Sequence, residues 1–493
     1  MPQTFNIKNF LSPTSTEVSV FPNTDDEIGL NQLIVCNGIN PSYKIGTLIK
    51  DLGYIKVGDT LQDSKNVTGL YNFRQTSAIQ KVLATINNSD DNALVLKYLN
   101  GSTWTTIDTS TTYNTFEDAK TQFETFLETC FIVGYDKTDD VFLPVGSLSG
   151  TTFSTSTNVT DMPKGKYIKR YRDRLYVANC EVGSTKHSYR VYYSEIPSAG
   201  SLTWDNDNNF FDVDYGEEIK GIVNNWDRLI IFTEFSTYLY SQTSLKKIFD
   251  IGCGNNNSIQ NIGVYTIFAN KDNVYLTENA STPLAIGNNV RQLIQNSNQD
   301  YFESAVIDNE YILFVGNTKA NGISYSNCTL IYNLQTQMWR WRTLYDNVKS
   351  MCKFTSSGDD FLYFGTDTGM VMRKSKETDT TKLYSDNGNP IVAHFMTKAT
   401  DFGVPDIQKT IRQLTAYSSV PNGLILRVRI INKNQEILMP FTKIGELKNV
   451  IEDFDGLNLN GNFIQFEGKE FSSNQSFQFD GMSIIVDGIT TNE

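Results

Sequence analysis

Asp359-Asp360-Phe361-Leu362-Tyr363-Phe364-Gly365-Thr366-Asp367-Thr368-Gly369-Met370-Val371 reads as a turn, an apolar run, a second turn and a second run. Paired aspartates suit a tight turn because their side chains hydrogen-bond the local backbone. The run after them is short, aromatic and bounded by turn formers, which predicts a strand. The following Thr-Asp-Thr-Gly then closes a hairpin. The same phrase recurs along the chain. It stands at Asp90-Asp91-Asn92 before Ala93-Leu94-Val95-Leu96, and at Asp139-Asp140 before Val141-Phe142-Leu143. It follows at Asp173-Arg174 before Leu175-Tyr176-Val177, and at Asp227-Arg228 before Leu229-Ile230-Ile231-Phe232. It returns at Asp272-Asn273 before Val274-Tyr275-Leu276, and at Asp308-Asn309-Glu310 before Tyr311-Ile312-Leu313-Phe314. Most copies lie about 35–55 residues apart, the range of a four-stranded propeller blade. Trp104, Trp204 and the Trp339/Trp341 pair follow Asn/Gly/Ser-rich turns late in their repeats, where such blades tend to place a tryptophan. An all-β chain is expected, with residues 61–375 forming a β-propeller of about five to seven blades.

The flanks read differently. Lys376-Glu377-Thr378-Asp379-Thr380-Thr381 is polar and linker-like, and Ser385-Asp386-Asn387-Gly388-Asn389-Pro390 adds turn residues. Beyond it, Leu424–Ile431, Phe463-Ile464-Gln465-Phe466 and Met482-Ser483-Ile484-Ile485-Val486 predict strands of a small β-sandwich over residues 390–493, separable from the propeller. Residues 1–60 carry the repeat weakly and are expected to form an N-terminal arm or ring-closing strands. One helix is predicted, over residues 115–130. Thr115 would cap it, Glu117 and Asp118 suit its first turn, and Phe116, Ala119, Phe123, Phe126, Leu127 and Cys130 fall at helical spacing.

Composition narrows the function. Phe (30) and Tyr (25) are abundant in the 493 residues, and such side chains suit pleated, half-buried surfaces. Lys and Arg number 42 against 55 Asp and Glu, a net charge of −13. Gripping nucleic acid requires a basic face that displaces counterions, and no dense basic cluster exists. The longest basic stretch, Lys164 to Arg174, interleaves its charges with Tyr167, Tyr171 and Asp173, as a solvated strand face does. Cysteines 36, 130, 180, 253, 328 and 352 stand alone, with no CxxC pair, and read as small core residues in a reducing compartment. No apolar stretch reaches the length of a membrane span, and the N-terminus lacks the features of a signal peptide. Synthesis and assembly in a cytoplasm are expected.

Chemical motifs are missing or broken. Asp205-Asn206-Asp207-Asn208-Asn209 opens like a calcium loop, but Phe210 stands where glycine is required and Gly216 where a bidentate glutamate is. Gly252-Cys253-Gly254 lacks the third glycine of a dinucleotide site, and no GxxxxGK[ST] phosphate cradle occurs. His187, in the polar Gly183-Ser184-Thr185-Lys186-His187-Ser188, is expected in an exposed turn. Neither it nor His394 sits in a hydrolase motif. Asn100-Gly101-Ser102-Thr103-Trp104 lacks the aspartate of a sialidase turn, although carboxylates could still converge from distant blades. The sequence nominates no catalytic, cofactor-binding or metal-binding residue and assigns no partner-binding one. The expectation is a protein that is not an enzyme and needs no cofactor.

Residues 31 to 400 resemble the β-propeller tail-hub proteins of short-tailed bacteriophages: packaged-DNA stabilisation proteins, tail nozzle or tubular proteins, and muzzle proteins of crAss-like phages. The resemblance rests on the order of several phrases. They begin with Leu33-Ile34-Val35-Cys36-Asn37-Gly38, Gly69-Leu70-Tyr71-Asn72-Phe73 and Lys166-Tyr167-Ile168. Arg172-Asp173-Arg174-Leu175-Tyr176-Val177-Ala178-Asn179, Val191-Tyr192-Tyr193-Ser194 and Phe211-Asp212-Val213-Asp214-Tyr215-Gly216 continue them. Asp227–Phe232, Ser236-Thr237-Tyr238-Leu239, Ile251-Gly252-Cys253-Gly254 and Ser258-Ile259 complete the series. The likeness weakens toward the C-terminus. It implies a virion protein of the tail, made in the bacterial host cytoplasm and forming a homo-oligomeric ring, a hexamer. Such a ring closes and extends the DNA exit channel below portal and adaptor, retaining packaged DNA and allowing its ejection. The implied partners are neighbouring adaptor and tail fibre proteins, and double-stranded DNA that passes without tight binding. An acidic balance agrees with that role, since like charge keeps a passage slippery. The alternative is a glycan-binding or glycan-cleaving receptor-recognition propeller, which an aromatic-rimmed pocket with convergent carboxylates would favour.

Overall fold

The computed structural model describes residues 3–8, 33–41 and 47–489, apart from 77–78, 88–93, 108–112, 114–115, 117–118, 199, 357, 377–378, 380–383, 403–405, 421–422, 432–435, 439–441, 444–448, 454–459 and 473–474. The chain is all-β. Among the described residues, helix is confined to Arg291–Gln295 and three short 3-10 turns. No helix there is long and apolar enough to cross a membrane.

Seven small antiparallel sheets follow one another among the described residues. Sheet 1 is Val67–Arg74, Gln80–Asn87, Leu94–Asn100 and Thr103–Ile107. Sheet 2 is built on Lys120–Phe126, Thr129–Asp136, Gly146–Ser149 and Thr152–Ser154. Sheet 3 is Lys164–Tyr171, Arg174–Val182, Thr185–Tyr193 and Phe210–Asp212. Sheet 4 is Ile219–Asn225, Arg228–Thr233, Thr237–Tyr240 and Leu245–Phe249. Sheet 5 is Gln260–Ile262, Tyr265–Ala269, Val274–Glu278 and Leu284–Ala285. Sheet 6 is Glu303–Ile307, Glu310–Ala320, Ile323–Asn333 and Met338–Thr343. Sheet 7 takes Val348–Ser356, Asp359–Thr366 and Val371–Lys374 from its own stretch, and its fourth strand, Tyr54–Lys56, from the N-terminal part of the chain.

The apolar runs explain how these sheets meet. A strand buried on both faces reads as a continuous apolar run, not as an alternating one. In Thr129–Asp136, Cys130 and Ile132 pack with Phe73, Leu83 and Leu96 of sheet 1, while Phe131 and Val133 pack with Ile168, Leu175 and Val177 of sheet 3. The same arrangement joins sheets 3 and 4, 4 and 5, 5 and 6, and 6 and 7. One further cluster joins Tyr363 and Val371 of sheet 7 to Val67, Leu70 and Val82 of sheet 1. Each fully buried side chain of this kind contributes roughly 1.5–3 kcal/mol.

The helix expected over residues 115–130 does not form. Lys120–Phe126 and Thr129–Asp136 are an antiparallel pair, with Phe126 opposite Thr129 across the Leu127-Glu128 turn. Thr121 and Phe123 alternate inward, and the apolar face they share with sheet 1 overrides the helical spacing. Thr115, Glu117 and Asp118 lie outside the described residues.

The acidic turns take two positions. Asp173, Asp227 and Asp308-Asn309 lie between first and second strands, and Asp359 opens the second strand of sheet 7. Asp139-Asp140 and Asp272-Asn273 instead follow the second strands of sheets 2 and 5. Asp90-Asp91-Asn92 lies outside the described residues, as do Glu377, Thr378, Thr380 and Thr381 of the polar stretch.

The remaining strands form two larger sheets over one core. Leu33–Asn37 lies beside Met338–Thr343 and pairs with Ala393–Thr397, which continues into Phe463–Glu470 and Ile425–Ile431. The facing sheet pairs Gln408–Val420 with Gln478–Ile489, which also receives Gln3–Lys8 and Leu48–Lys50. Leu426, Val428 and Ile430 point inward at strand spacing and meet Ile411, Leu414, Ile484 and Val486. Leu33, Cys36, Ile39 and Leu48 belong to that same core, so a cut at residue 390 divides it.

Buried charge knits this unit to sheets 6 and 7. Trp339 and Trp341 face an apolar core; Arg340 and Arg342, one residue out of phase, point to the opposite side and are also buried. Arg340 donates to Asp51 at 3.0 Å and to both oxygens of Glu310 at 2.9 and 2.8 Å. Arg342 donates to Asp386 and to the Leu52 carbonyl, and Tyr54 donates to Asp346 at 3.0 Å. Burial alone would raise the Asp51 carboxyl, but Lys374, Arg340 and Arg342 together hold it well below its ordinary value. A second buried pair, Lys50 with Glu470, ties the two larger sheets together.

Candidate functional site

The first strands of the seven sheets line one cavity of about 420 Å³. They also neighbour one another in sequence order, with the Asn256–Ser258 turn between those of sheets 4 and 5, and Val348–Ser356 packs against Val67–Arg74. Glycine permits the closest approaches. A Cβ at Gly69 would lie 2.0 Å from Thr121 Oγ1, and one at Gly221 would lie 2.5 Å from Ile259 Cδ1. A larger residue at either position would have to displace these neighbouring side chains.

Polar side chains brace this cavity from sheet to sheet. Gln122 donates to Asn257 Oδ1 at 2.7 Å and accepts from Asn256 at 3.3 Å. Asn257 donates to Glu303 Oε1 at 2.9 Å, and Lys120 Nζ reaches the same oxygen at 2.5 Å while also donating to the Lys349 carbonyl. One connected set of bonds thus joins sheets 2, 6 and 7 through the Asn256–Ser258 turn that precedes sheet 5. Around it, Gln260 donates to the Ser304 carbonyl at 3.0 Å and Ser350 donates to the Val67 carbonyl at 2.8 Å. These bonds satisfy backbone and amide groups that would otherwise be left unpaired in a narrow space.

Glu303 is the titratable group of interest. Burial pushes its carboxyl above the ordinary value, against Lys120 and Asn257, which pull it down. A carboxyl perturbed in this way within a cleft is a candidate acid or base. Its Oε1 is already held by two donors, and it is the one acidic residue among the described lining residues. Glycoside hydrolysis by the usual route needs two carboxylates about 5–9.5 Å apart flanking the bond. One carboxyl paired to a lysine makes an ion pair that holds strands together. Lys169, also on the wall, pairs with Glu124 at 3.0 Å.

The residues weighed in sequence fall elsewhere. His187 is not in an exposed turn: it lies half-buried in Thr185–Tyr193, opposite Cys180, because only Gly183 and Ser184 make the turn. His394 is buried, 2.9 Å from Glu467, and burial holds its imidazole below the ordinary value. Asp205 accepts from the backbone N–H groups of Asp207 and Asn208 at 3.1 and 3.2 Å, closing a local turn. All six cysteines are free. Cys352 reaches the cavity wall, where burial pushes its thiol up to about 12. Trp104, Trp339 and Trp341 occupy fourth strands, and Trp204 bridges to Ser194 just before the fourth strand of sheet 3. Sequence reasoning missed Gln122, Asn257 and Glu303. Single polar residues in apolar strands carry no spacing signal of their own.

No family model matches the chain, and no curated protein does. Among solved structures, the CNH domain of AfRom2 is similar at a TM-score of 0.39 and 9% identity, over 66% of this chain and 99% of that one. The extracellular domain of a hybrid two-component system from B. thetaiotaomicron is similar at 0.41 and 11% identity, over 85% of this chain and 59% of that one. Likeness at this level assigns no function.

Proposed function

We propose that the seven sheets are the blades of one closed propeller, and that the chain is a structural component of a short-tailed phage tail. In that role copies form a ring that closes and extends the DNA exit channel, retaining the packaged genome and allowing its ejection. The propeller is supported by the first-strand cavity, by the apolar cluster between sheets 7 and 1, and by the N-terminal strand that completes sheet 7. Shared closure of the last blade by two distant parts of the chain resists opening of the ring. One observation carries the structural over the catalytic reading: the cavity's amides and its single carboxylate are bonded to each other across sheets. A cavity of about 420 Å³ cannot pass duplex DNA, so the channel must run between copies. The tail itself rests on the ordered phrases in residues 31–400.

A panel of sialosides and other glycosides tests the choice between a ring component and a receptor-recognition propeller. The expected result is no turnover, with Glu303→Gln indistinguishable from the parent. Turnover by pure protein that disappears in Glu303→Gln would overturn the proposal.

A further inference from the structure

Sheet 4 carries different chemistry at its two ends. Trp226 stands two residues before the strand Arg228–Thr233 and Phe235 two residues after it, so the strand's six residues, about 20 Å, separate them. Trp226 is 73% exposed and Phe235 62% exposed. Trp226 also has a φ of 54°, and Arg172, at the matching turn of sheet 3, has a φ of 51°. Both hold the left-handed backbone that suits glycine, so neither large side chain is there for the sake of the turn.

At this end, the first-to-second-strand turns of sheets 3 and 4 carry Arg170, Arg172, Arg174 and Arg228 with Asp173 and Asp227, and Glu195 faces Arg174. Arg174 faces Glu195 at 3.7 Å, whereas Arg172 has a neutral partner, Gln242, at 2.7 Å. Arg170 lies over the Phe126 ring, and Arg228 donates to the Asn279 carbonyl and faces Asp227 at 3.8 Å. At the other end, Glu217 accepts from Ser236 at 2.9 Å and thereby holds the loop bearing Asp214 and Tyr215 beside Phe235. Tyr215 is 87% exposed, Asp214 and Glu234 are exposed, and the exposed Asp250 pairs with Lys247 at 2.7 Å. One end thus offers arginines around a tryptophan, and the other offers carboxylates around a tyrosine and a phenylalanine.

We propose that these two ends bind each other between copies, the Trp226 end of one copy docking on the Tyr215–Phe235 end of the next. The occupant is a second copy of this chain, and the proposal rests on the ring reading above. Two different patches that match head to tail are what a cyclic assembly requires, and arginine and aromatic side chains are the usual anchors of such contacts.

The test is sedimentation velocity of the full chain over a concentration series. Trp226→Gly relieves the turn and keeps the fold, and it is expected to weaken self-association at least tenfold. Arg172→Glu and Glu234→Arg are each expected to do the same alone. Mixing those two variants should restore association, because each mutated end then meets its charge-reversed counterpart. Unchanged association in all three variants, or no rescue in the mixture, would overturn the contact while leaving a ring built through another surface. A parent chain that stays monomeric at every concentration would overturn the contact as well. Self-association lost in the variants, by a chain absent from tail particles, would uphold the contact and sink the tail.

Discussion

The cavity among the seven sheets and the charged seam beside sheets 6 and 7 are both polar, but they are held in different ways. In the cavity, amides bond to amides around one lysine–glutamate pair, next to a space that water can enter. In the seam, Asp51, Arg340, Arg342 and Asp386 are all buried and meet as full charges. Removing an amide beside a wet cavity lets solvent replace the lost bond. Removing one charge from a buried seam strands its partners. The seam should therefore dominate the response to substitution even though the cavity is larger.

Asp51→Ala gives the largest expected effect. It should cost about 3–5 kcal/mol in a urea or guanidinium unfolding experiment, because Arg340 loses a buried counter-charge. A loss below about 1 kcal/mol would mean the seam is hydrated in solution.

The two regions should also answer pH with opposite signs. The folded value of Asp51 is depressed, so its contribution is complete above the ordinary 3.8 and is lost as pH falls below it. The folded value of Glu303 is raised, so its contribution is complete below the ordinary 4.5 and is lost as pH rises through the folded value. Asp51→Asn should flatten the acid side of a stability–pH curve, and Glu303→Gln should flatten the rise-driven loss. The same slope change from both variants would erase the contrast.

Gln122→Ala should cost about 1 kcal/mol, the net worth of a neutral hydrogen bond. A cost near that of Asp51→Ala would show that solvent does not replace the lost bond in the cavity. The smallest effect is a gain. Trp226→Gly exchanges left-handed strain of about 1–2 kcal/mol for glycine's backbone entropy of about 0.5–1 kcal/mol, so the melting temperature should rise slightly.

The same contrast explains what could be seen in sequence. Runs such as Leu229-Ile230-Ile231-Phe232 announce strands buried on both faces, and their turn punctuation places one sheet after another. The period was uneven because the acidic turn serves two different corners of a sheet, as Asp227 and Asp272 illustrate. Residues 120–136 misled because Phe123, Phe126 and Cys130 satisfy a helical spacing that strand pairing overrides. The pairing of Tyr54 with Lys374, and of Leu33–Asn37 with Ala393–Thr397, joins segments over 300 residues apart and leaves no local trace. The seam was half visible: Trp339 and Trp341 were legible as a pair late in their repeat, while Arg340 and Arg342, between and beyond them, carried no signal of burial. The cavity residues were silent, since Gln122 and Glu303 differ from exposed residues only in what lies across from them.

Electron microscopy of tailed particles, with antibody against this chain, tests the central claim most directly. A tail ring predicts label encircling the tail axis, and averaged images with several copies around a passage distinct from the small cavity inside each copy. Label confined to receptor-binding fibres, or particles that lack the chain altogether, would contradict it.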